Sequence, residues 1–114
     1  MAINNKTMQP ILKTTKLANE NITAFRFIDY AGNMASDNER SLGVADIDYI
    51  IGENMSVTVL GIAIVESSAV ISVGQNVTAS AGGKARVAVG ADLVLGRALD
   101  ASGGSDFIRI VLVQ

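Results

Sequence analysis

The sequence contains no cysteine and no histidine, and each absence narrows the range of functions. Without cysteine, neither a disulfide framework nor a thiolate metal site can form. Without histidine, the chain lacks the commonest general base and the commonest metal ligand. Both absences count against the usual catalytic and metal-binding arrangements, so we expect neither an enzyme nor a cofactor site.

Charge of one sign and long apolar runs are also missing. Nine basic and eleven acidic residues are mixed along the chain, with a formal net charge of −2, so no basic patch for nucleic acid is predicted. No apolar run reaches the roughly 20 residues of a membrane-spanning helix. The first ten residues, MAINNKTMQP, lack the hydrophobic region of a secretory signal. We therefore expect no membrane or nucleic-acid partner and no small-molecule substrate.

The residues that are abundant favour β-structure. The chain has 114 residues, which is short enough for a single domain. It contains 12 Val and 12 Ile, 11 Gly and one Pro, but only three Phe, two Tyr and no Trp. Small and β-branched residues fit pleated sheets, and no helical periodicity extends beyond about two turns. The prediction is an all-β, single-domain small β-barrel or β-sandwich (β-tulip-like), with little helix and an extended N-terminal arm.

The most strand-like stretch is residues 52–66, GENMSVTVLGIAIVE. Met55, Val57 and Val59 alternate with polar residues, which is typical of a strand with one buried face. We predict that these three side chains face the core. Gly61 separates this run from a second, fully apolar one, and it predicts a bulge or bend at which a barrel turns a corner.

Further strands are predicted from shorter apolar runs between turn residues. In one of them Phe25 and Phe27 should share a face, and residues 81–84 (AGGK) should form a hairpin turn. The last strand is apolar on both faces, which favours a central position or a subunit interface. The predicted strands cover residues 23–29, 42–45, 76–79, 85–89, 92–100 with a break at Gly96, and 106–113 with Ile108, Ile110 and Leu112 on one face.

Residues 8–17 can extend, but they begin around Pro10, which has no N–H to donate to a sheet. This segment is therefore predicted to be an edge strand or an arm. We divide the chain into an N-terminal arm, residues 1–17, and a β domain, residues 18–114.

Several acidic and basic residues are candidates for functional sites. Asp46 and Asp48 lack the further oxygen ligands that calcium or magnesium needs, and nothing in the sequence brings Glu53 and Glu66 together for acid–base chemistry. Gly82-Gly83-Lys84 does not complete a phosphate-binding loop. No catalytic, cofactor-binding or metal-binding residue is predicted.

Two alternatives of other classes stay open at this point. Lys84, at a hairpin tip, resembles the modified lysine of lipoyl carrier domains, although the acidic residue that usually precedes that lysine is missing. A small β adhesion or carbohydrate-binding module is the other alternative, although sugar sites usually use stacked aromatic rings, which are few here.

An ordered set of short segments resembles the head decoration, or capsid cement, proteins of tailed bacteriophages. The resemblance covers about residues 18–113. It includes a central Gly-Glu followed by alternating valines, and Gln75 stands where an acidic residue is more usual in the family. The segments are 18–27 (ANENITAFRF), 41–48 (SLGVADID), 52–61, 70–77 (VISVGQNV), 95–99 (LGRAL) and 103–113 (GGSDFIRIVLV).

The resemblance implies a structural virion protein. Such a protein is made in the cytoplasm of the bacterial host and binds, as a homotrimer, to the outer surface of the expanded phage capsid. It sits at three-fold and quasi-three-fold sites, where subunits of the major capsid protein meet, and it stabilises the head against the pressure of packed DNA.

In related decoration proteins an N-terminal arm often adds a strand to the capsid protein. The resemblance therefore implies a capsid-binding arm here, which would act by strand addition to an exposed sheet edge. The residues of this arm are Met8, Gln9, Pro10, Ile11, Leu12, Lys13, Thr14 and Thr15.

Overall fold

The described part of the chain contains ten strands, most of them short. The computed structural model describes residues 7–113, and no helix within that range has the length and apolar character needed to cross a membrane. A single 3-10 turn, Ala81–Gly83, joins two of the strands. The strands are β1 (Gln9–Leu17), β2 (Arg26–Asp29), β3 (Ser41–Ala45), β4 (Asn54–Glu66), β5 (Val70–Ile71), β6 (Asn76–Ala79), β7 (Ala85–Val87), β8 (Gly96–Ala98), β9 (Ser102–Gly103) and β10 (Phe107–Leu112).

Strand β4 is the longest and carries neighbours on both edges. Val57 is paired with Thr14 of β1 and also with Ala45 of β3. Ile62 is paired with β1 and also with Val111 of β10. Strand β1 therefore follows one edge of β4, while β3 and β10 share the other edge, one after the other.

The main sheet curls into a nearly closed barrel. Its strand order is β2-β3-β4-β10-β8-β6-β7, with β1 attached to β4 beside this path, and all its named pairs are antiparallel. The 3-10 turn at the far end of the sheet packs against β2 at the other end. A Cβ on Gly83, whose φ is +80°, would lie 2.6 Å from the carbonyl oxygen of Phe27, so only glycine allows this approach. The predicted small all-β barrel is confirmed.

The sheet has an apolar cluster on each face. Adjacent residues point to opposite faces of a strand. Accordingly, Phe27 and Val44 belong to the larger cluster, which fills the barrel, whereas Ile28 and Ala45 belong to a smaller cluster on its outside. The residues that complete the smaller cluster from outside the strands come from the connector after β1 and from the loops after β2 and β3; they are Ala18, Ile22, Met34 and Tyr49.

Strand β4 changes faces halfway along its length. Met55 and Val57 are buried in the outer cluster, whereas Ala63 and Val65 are buried in the barrel. In a regular strand, residues an even number of positions apart lie on the same face. Val57 and Ala63 are an even number of positions apart but lie on opposite faces, so a bulge must lie between them. The register against β1 shifts at this point.

The bulge explains where the predicted pattern of β4 succeeds and where it fails. Met55 and Val57 are buried as predicted, but Val59, which is skipped in the register with β1, is only half-buried. Thr58, predicted to face away from the core, is fully buried because it shares a face with its partner Val44 of the larger cluster. Gly61, with φ of +106°, marks the predicted bulge.

The other predicted strands exist: β6 has the predicted bounds, β3 begins one residue earlier, and the remaining ones are shorter. The strand predicted from residue 23 begins at Arg26, because Phe25 takes a φ of +64° and ends the extended run. The prediction that Phe25 shares a face with Phe27 is wrong: its ring lies edge-on to that of Phe107, with centroids 5.3 Å apart. The strand predicted over residues 92–100 is reduced to β8. The alternation of β10 is as predicted, with Ile108, Ile110 and Leu112 buried.

The segment predicted to be an edge strand or an arm forms β1. Residues 1–6 of the predicted arm, and Gln114 at the end of the predicted β domain, lie outside the described residues. Of the predicted capsid-binding residues, Gln9–Thr15 lie along β4 and are all exposed to solvent, and Met8 directly precedes the strand. The boundary between residues 17 and 18 stays a prediction.

Arg86, a partly buried residue of β7, holds two loops together. Arg86 donates to Asp37 and to Asp92, with nitrogen–oxygen distances of 2.8 Å in both ion pairs. The hydrogen bond from Arg86, with a second one from the backbone N–H of Val89, lowers the pKa of Asp92 below its usual range. The same ion pairs raise the pKa of Arg86, so its charge persists at every working pH.

We predict that alanine at Gly61 destabilises the fold strongly. Its Cβ would lie 2.5 Å from the carbonyl oxygen of Gln9 and 2.7 Å from the amide nitrogen of Ile11, both backbone atoms of β1. Gly61→Ala should lower the free energy of unfolding in urea by about 2–4 kcal/mol. Gly74→Ala is the control, because φ there is +88° with no atom within 4 Å of the added Cβ, and it should cost about 1 kcal/mol. Equal losses in the two variants would contradict the close approach of β1.

We also predict that Arg86→Ala makes the free energy of unfolding less dependent on pH in the acid range. Because the pKa of Asp92 is lower in the folded state, the stabilisation is complete above the unfolded-state pKa and is lost as pH falls through the folded-state pKa. The variant should be less stable than the parent at neutral pH, and the difference should shrink in strong acid. Urea unfolding across the acid range measures this. Arg40→Ala, at an exposed arginine, should keep the parental slope.

Candidate interaction surfaces

Strand β1 presents an open edge. Within the described residues it pairs with β4 alone, so its second edge keeps backbone donors and acceptors for another strand. Ile11 is the extra residue of a bulge in β1 and is 81% exposed, and Leu12 beside it is half-exposed. An exposed edge with apolar side chains is a surface to which an extended segment of a partner can add.

The same edge carries features that limit indiscriminate pairing. Pro10 offers no N–H, the bulge interrupts the regular spacing of the ladder, and Lys13 and Lys16 place charge along it. Lys13 is held by an ion pair with Asp46, at 3.0 Å. The edge is therefore selective: a partner strand must accommodate the bulge and the lysines.

A second surface is an apolar groove on the outside of the barrel. It has a volume of about 620 Å³ and lies over β8, β10 and the loops before β6 and β8. Strand β10 is paired on both edges, yet Val111 on its outer face is 41% exposed. We call this surface the valine groove; its main lining residues are Val73, Val94, Leu99, Val111, Val113 and Arg97.

Of the two arginines in or beside the valine groove, only Arg109 has a carboxylate partner among the described residues. Arg109, two residues before Val111 in β10, forms an ion pair with Asp100 at 3.0 Å, and that carboxylate raises the pKa of Arg109. Arg97, opposite Val111 in β8, donates to the side-chain oxygen of Asn76 at 3.3 Å. Among the described residues, no carboxylate lies within ion-pair distance of Arg97.

A third surface is a protruding loop between β3 and β4. We call residues 46–53 (DIDYIIGE) the isoleucine loop, because Ile47, Ile50 and Ile51 are all more than half exposed. The loop is well anchored: Tyr49 exchanges backbone hydrogen bonds with Ile22, at 2.8 and 3.0 Å. It therefore holds three apolar side chains in solvent on a fixed backbone.

The acidic residues considered in the sequence have local partners. Asp46 pairs with Lys13, and Asp48 accepts a hydrogen bond from the backbone N–H of Ala24 at 2.7 Å. Glu53 accepts one from the backbone N–H of Ile50, at 2.8 Å. In the described part of the chain no three acidic residues are grouped as a cation would require.

Lys84 does not stand at a free tip. Its amine lies 3.7 Å from Glu66, which also pairs with Arg26 at 3.1 Å, and the turn before Lys84 packs on β2. Glu66 is at the end of β4 opposite to Glu53, so these two carboxylates are not brought together. A swinging carrier lysine needs a projecting tip, and this geometry does not provide one.

The aromatic rings do not form a platform for stacking on sugars. Phe27 is fully buried, Phe25 is engaged with Phe107, and Tyr49 is partly buried with its hydroxyl accepting from the backbone N–H of Ser56. Among the described rings, only that of Tyr30 is largely exposed. The geometry thus favours surfaces that bind protein, and the valine groove and the isoleucine loop were not singled out from the sequence.

Comparisons with known proteins agree with this description. The family model described as phage cement protein matches residues 6–113, which includes β1. The crystal structure of the head fiber gp8.5 N base in bacteriophage phi29 is similar, with a TM-score of 0.77 over 90% of this chain and 93% of that chain. At 22% identity this likeness shows the fold alone. The comparison with curated proteins found no match.

Proposed function

The chain belongs to the phage cement protein family, and we propose that it is a structural virion protein of the phage head. In this proposal it binds the outer surface of the expanded capsid as a homotrimer, at three-fold and quasi-three-fold sites. There it contacts neighbouring subunits of the major capsid protein and stabilises the head against the pressure of packed DNA. The role requires no catalytic centre, cofactor or small-molecule substrate.

The observation that carries the proposal is the open edge of β1. Nine residues of extended backbone span about 30 Å, which is long enough to engage a strand of a capsid subunit over its full length. Backbone hydrogen bonds would supply affinity, and the exposed Ile11 and Leu12 would supply specificity. Of the residues assigned to capsid binding from the sequence, Gln9–Thr15 lie on this strand and Met8 directly precedes it.

The mechanical role fits the way β1 is held. Load that a capsid subunit applies along β1 passes into β4 through a ladder that extends from Gln9 to Leu17. Strand β4 is in turn paired with β3 and β10, so the load is distributed over the barrel. An antiparallel ladder loaded along its strands opposes sliding with many hydrogen bonds at once.

The direct experiment is imaging of expanded heads mixed with the protein. The proposal expects added density at the three-fold and quasi-three-fold sites of the outer surface, and light scattering of the free protein near three times 11.9 kDa. Heads saturated with the protein should also resist heat and chelators better than bare heads. Density elsewhere on the virion, or none, would contradict the assigned position.

We predict that a charge at the bulge of β1 weakens capsid binding. Ile11→Asp should reduce affinity for expanded heads at least about tenfold, or about 1.4 kcal/mol, because it places a carboxylate in the new strand contact. Co-sedimentation with heads measures this. The side chain is 81% exposed, so the fold and the mass of the free protein should be unchanged.

Val70→Asp is the matched control, because Val70 is also exposed but lies in the separate β5–β9 ladder. It should bind heads as the parent does. Parental affinity of Ile11→Asp would overturn the role of β1. This variant is preferable to deletion of residues 2–15, which would also leave the edge of β4 without its partner strand.

A further inference from the structure

We infer that the valine groove of one subunit receives the isoleucine loop of the next subunit, head to tail, and that this contact closes the trimer. The inference rests on the proposed trimer and specifies the surfaces that form it. It leaves the edge of β1 free for the capsid, so self-association and capsid binding use different parts of the molecule.

The outer face of the sheet shows why the groove needs a cover. Over β2, β3 and the first half of β4, the chain covers this face itself, with Ala18, Ile22 and Tyr49. After the bulge in β4 the outer face continues over β10 and β8, where no described segment lies on Val111. Central strands that expose apolar side chains are typical of interfaces.

The isoleucine loop has the complementary shape and is already ordered. Its three isoleucines project from a backbone held by the Tyr49–Ile22 bonds and by a hydrogen bond from the N–H of Ile51 to the side-chain oxygen of Asn21. A protrusion that is rigid before it binds loses little conformational entropy on entering a groove.

The charges favour contact between the groove and the loop over contact between two grooves. Arg97 has no carboxylate partner among the described residues, and the groove lining contains no acidic residue. The isoleucine loop carries Asp48 and Glu53, both exposed, and in the described contacts the carboxylate of each accepts a hydrogen bond only from a backbone N–H. Two grooves facing each other would bring two arginines together, whereas the loop brings carboxylates to Arg97.

The positions of the two surfaces suit a ring. The isoleucine loop precedes Asn54 at one end of β4, and Val111 is paired with Ile62, about 26 Å farther along that strand. Two different, separated patches on one molecule form a heterologous contact, which generates a closed ring when the rotation between subunits closes.

Cysteine cross-linking tests this contact in the full chain, which has no native cysteine. Ile50→Cys/Val111→Cys, treated with a short bis-maleimide in the absence of heads, should give covalent species up to trimers. A mixture of the two single variants should give covalent dimers, and each single variant alone should stay uncross-linked. Both positions are exposed, so circular dichroism should match the parent.

Ile50→Cys/Ser105→Cys is the control, because Ser105 is exposed but lies beyond the opposite end of β10. It should give no trimer. A second test uses charge: Arg97→Glu should weaken self-association at least tenfold, and adding Glu53→Lys should restore most of it.

The outcomes separate the inference from the proposed function. A parental trimer without groove-to-loop cross-links, or with equal cross-linking of the Ser105 control, overturns the inference and leaves the trimer standing. A parent that is monomeric at all concentrations overturns both. Loss of head binding by Val111→Asp with a parental trimer mass would assign the groove to the capsid protein and also overturns the inference.

Discussion

The bulge in the middle of β4 is the constraint on which the rest of the structure depends. It lets one strand serve two apolar clusters, with Met55 and Val57 on the outside of the sheet and Ala63 and Val65 inside the barrel. It also requires glycine at position 61, because the backbone of β1 passes within van der Waals reach of the missing Cβ. The change of face in β4 and the close approach of β1 at Gly61 therefore occur at one local irregularity.

That irregularity also distributes the surfaces of the molecule. Before the bulge, the outer face of the sheet is closed by the chain itself, and the isoleucine loop lies beside that cover. Beyond it, no described segment covers the valine groove on the outer face, and β1 follows the other edge of β4 with its own second edge unpaired among the described residues. A small barrel that arranges three distinct contact surfaces around one strand suits the proposed role, in which the protein binds both its own copies and the capsid.

Much of the fold was accessible from sequence patterns, and the failures have local causes. The alternation in β10 correctly indicated that Ile108, Ile110 and Leu112 are buried, because a regular strand keeps its period of two. The same rule failed at Val59 and Thr58, since a bulge shifts the period, and Gly61 indicated a bulge without showing that Val59 is the residue skipped in the register. The sequence predicted Lys84 at a free hairpin tip, because its partner, Glu66, is distant in sequence and could not be identified from it. The groove and the isoleucine loop were missed because isolated valines and isoleucines in a β protein are equally typical of a core.

The sequence by itself determined the all-β class, the resemblance to phage cement proteins and the edge character of the segment around Pro10. These follow from local properties: β-branched residues, glycine turns, the order of short segments and a missing N–H. Only the tertiary structure decided which apolar side chains stay in solvent, because exposure depends on what lies across the sheet. Val111 and Val77 are the same residue type in similar strands, yet one is covered by the barrel and the other is not.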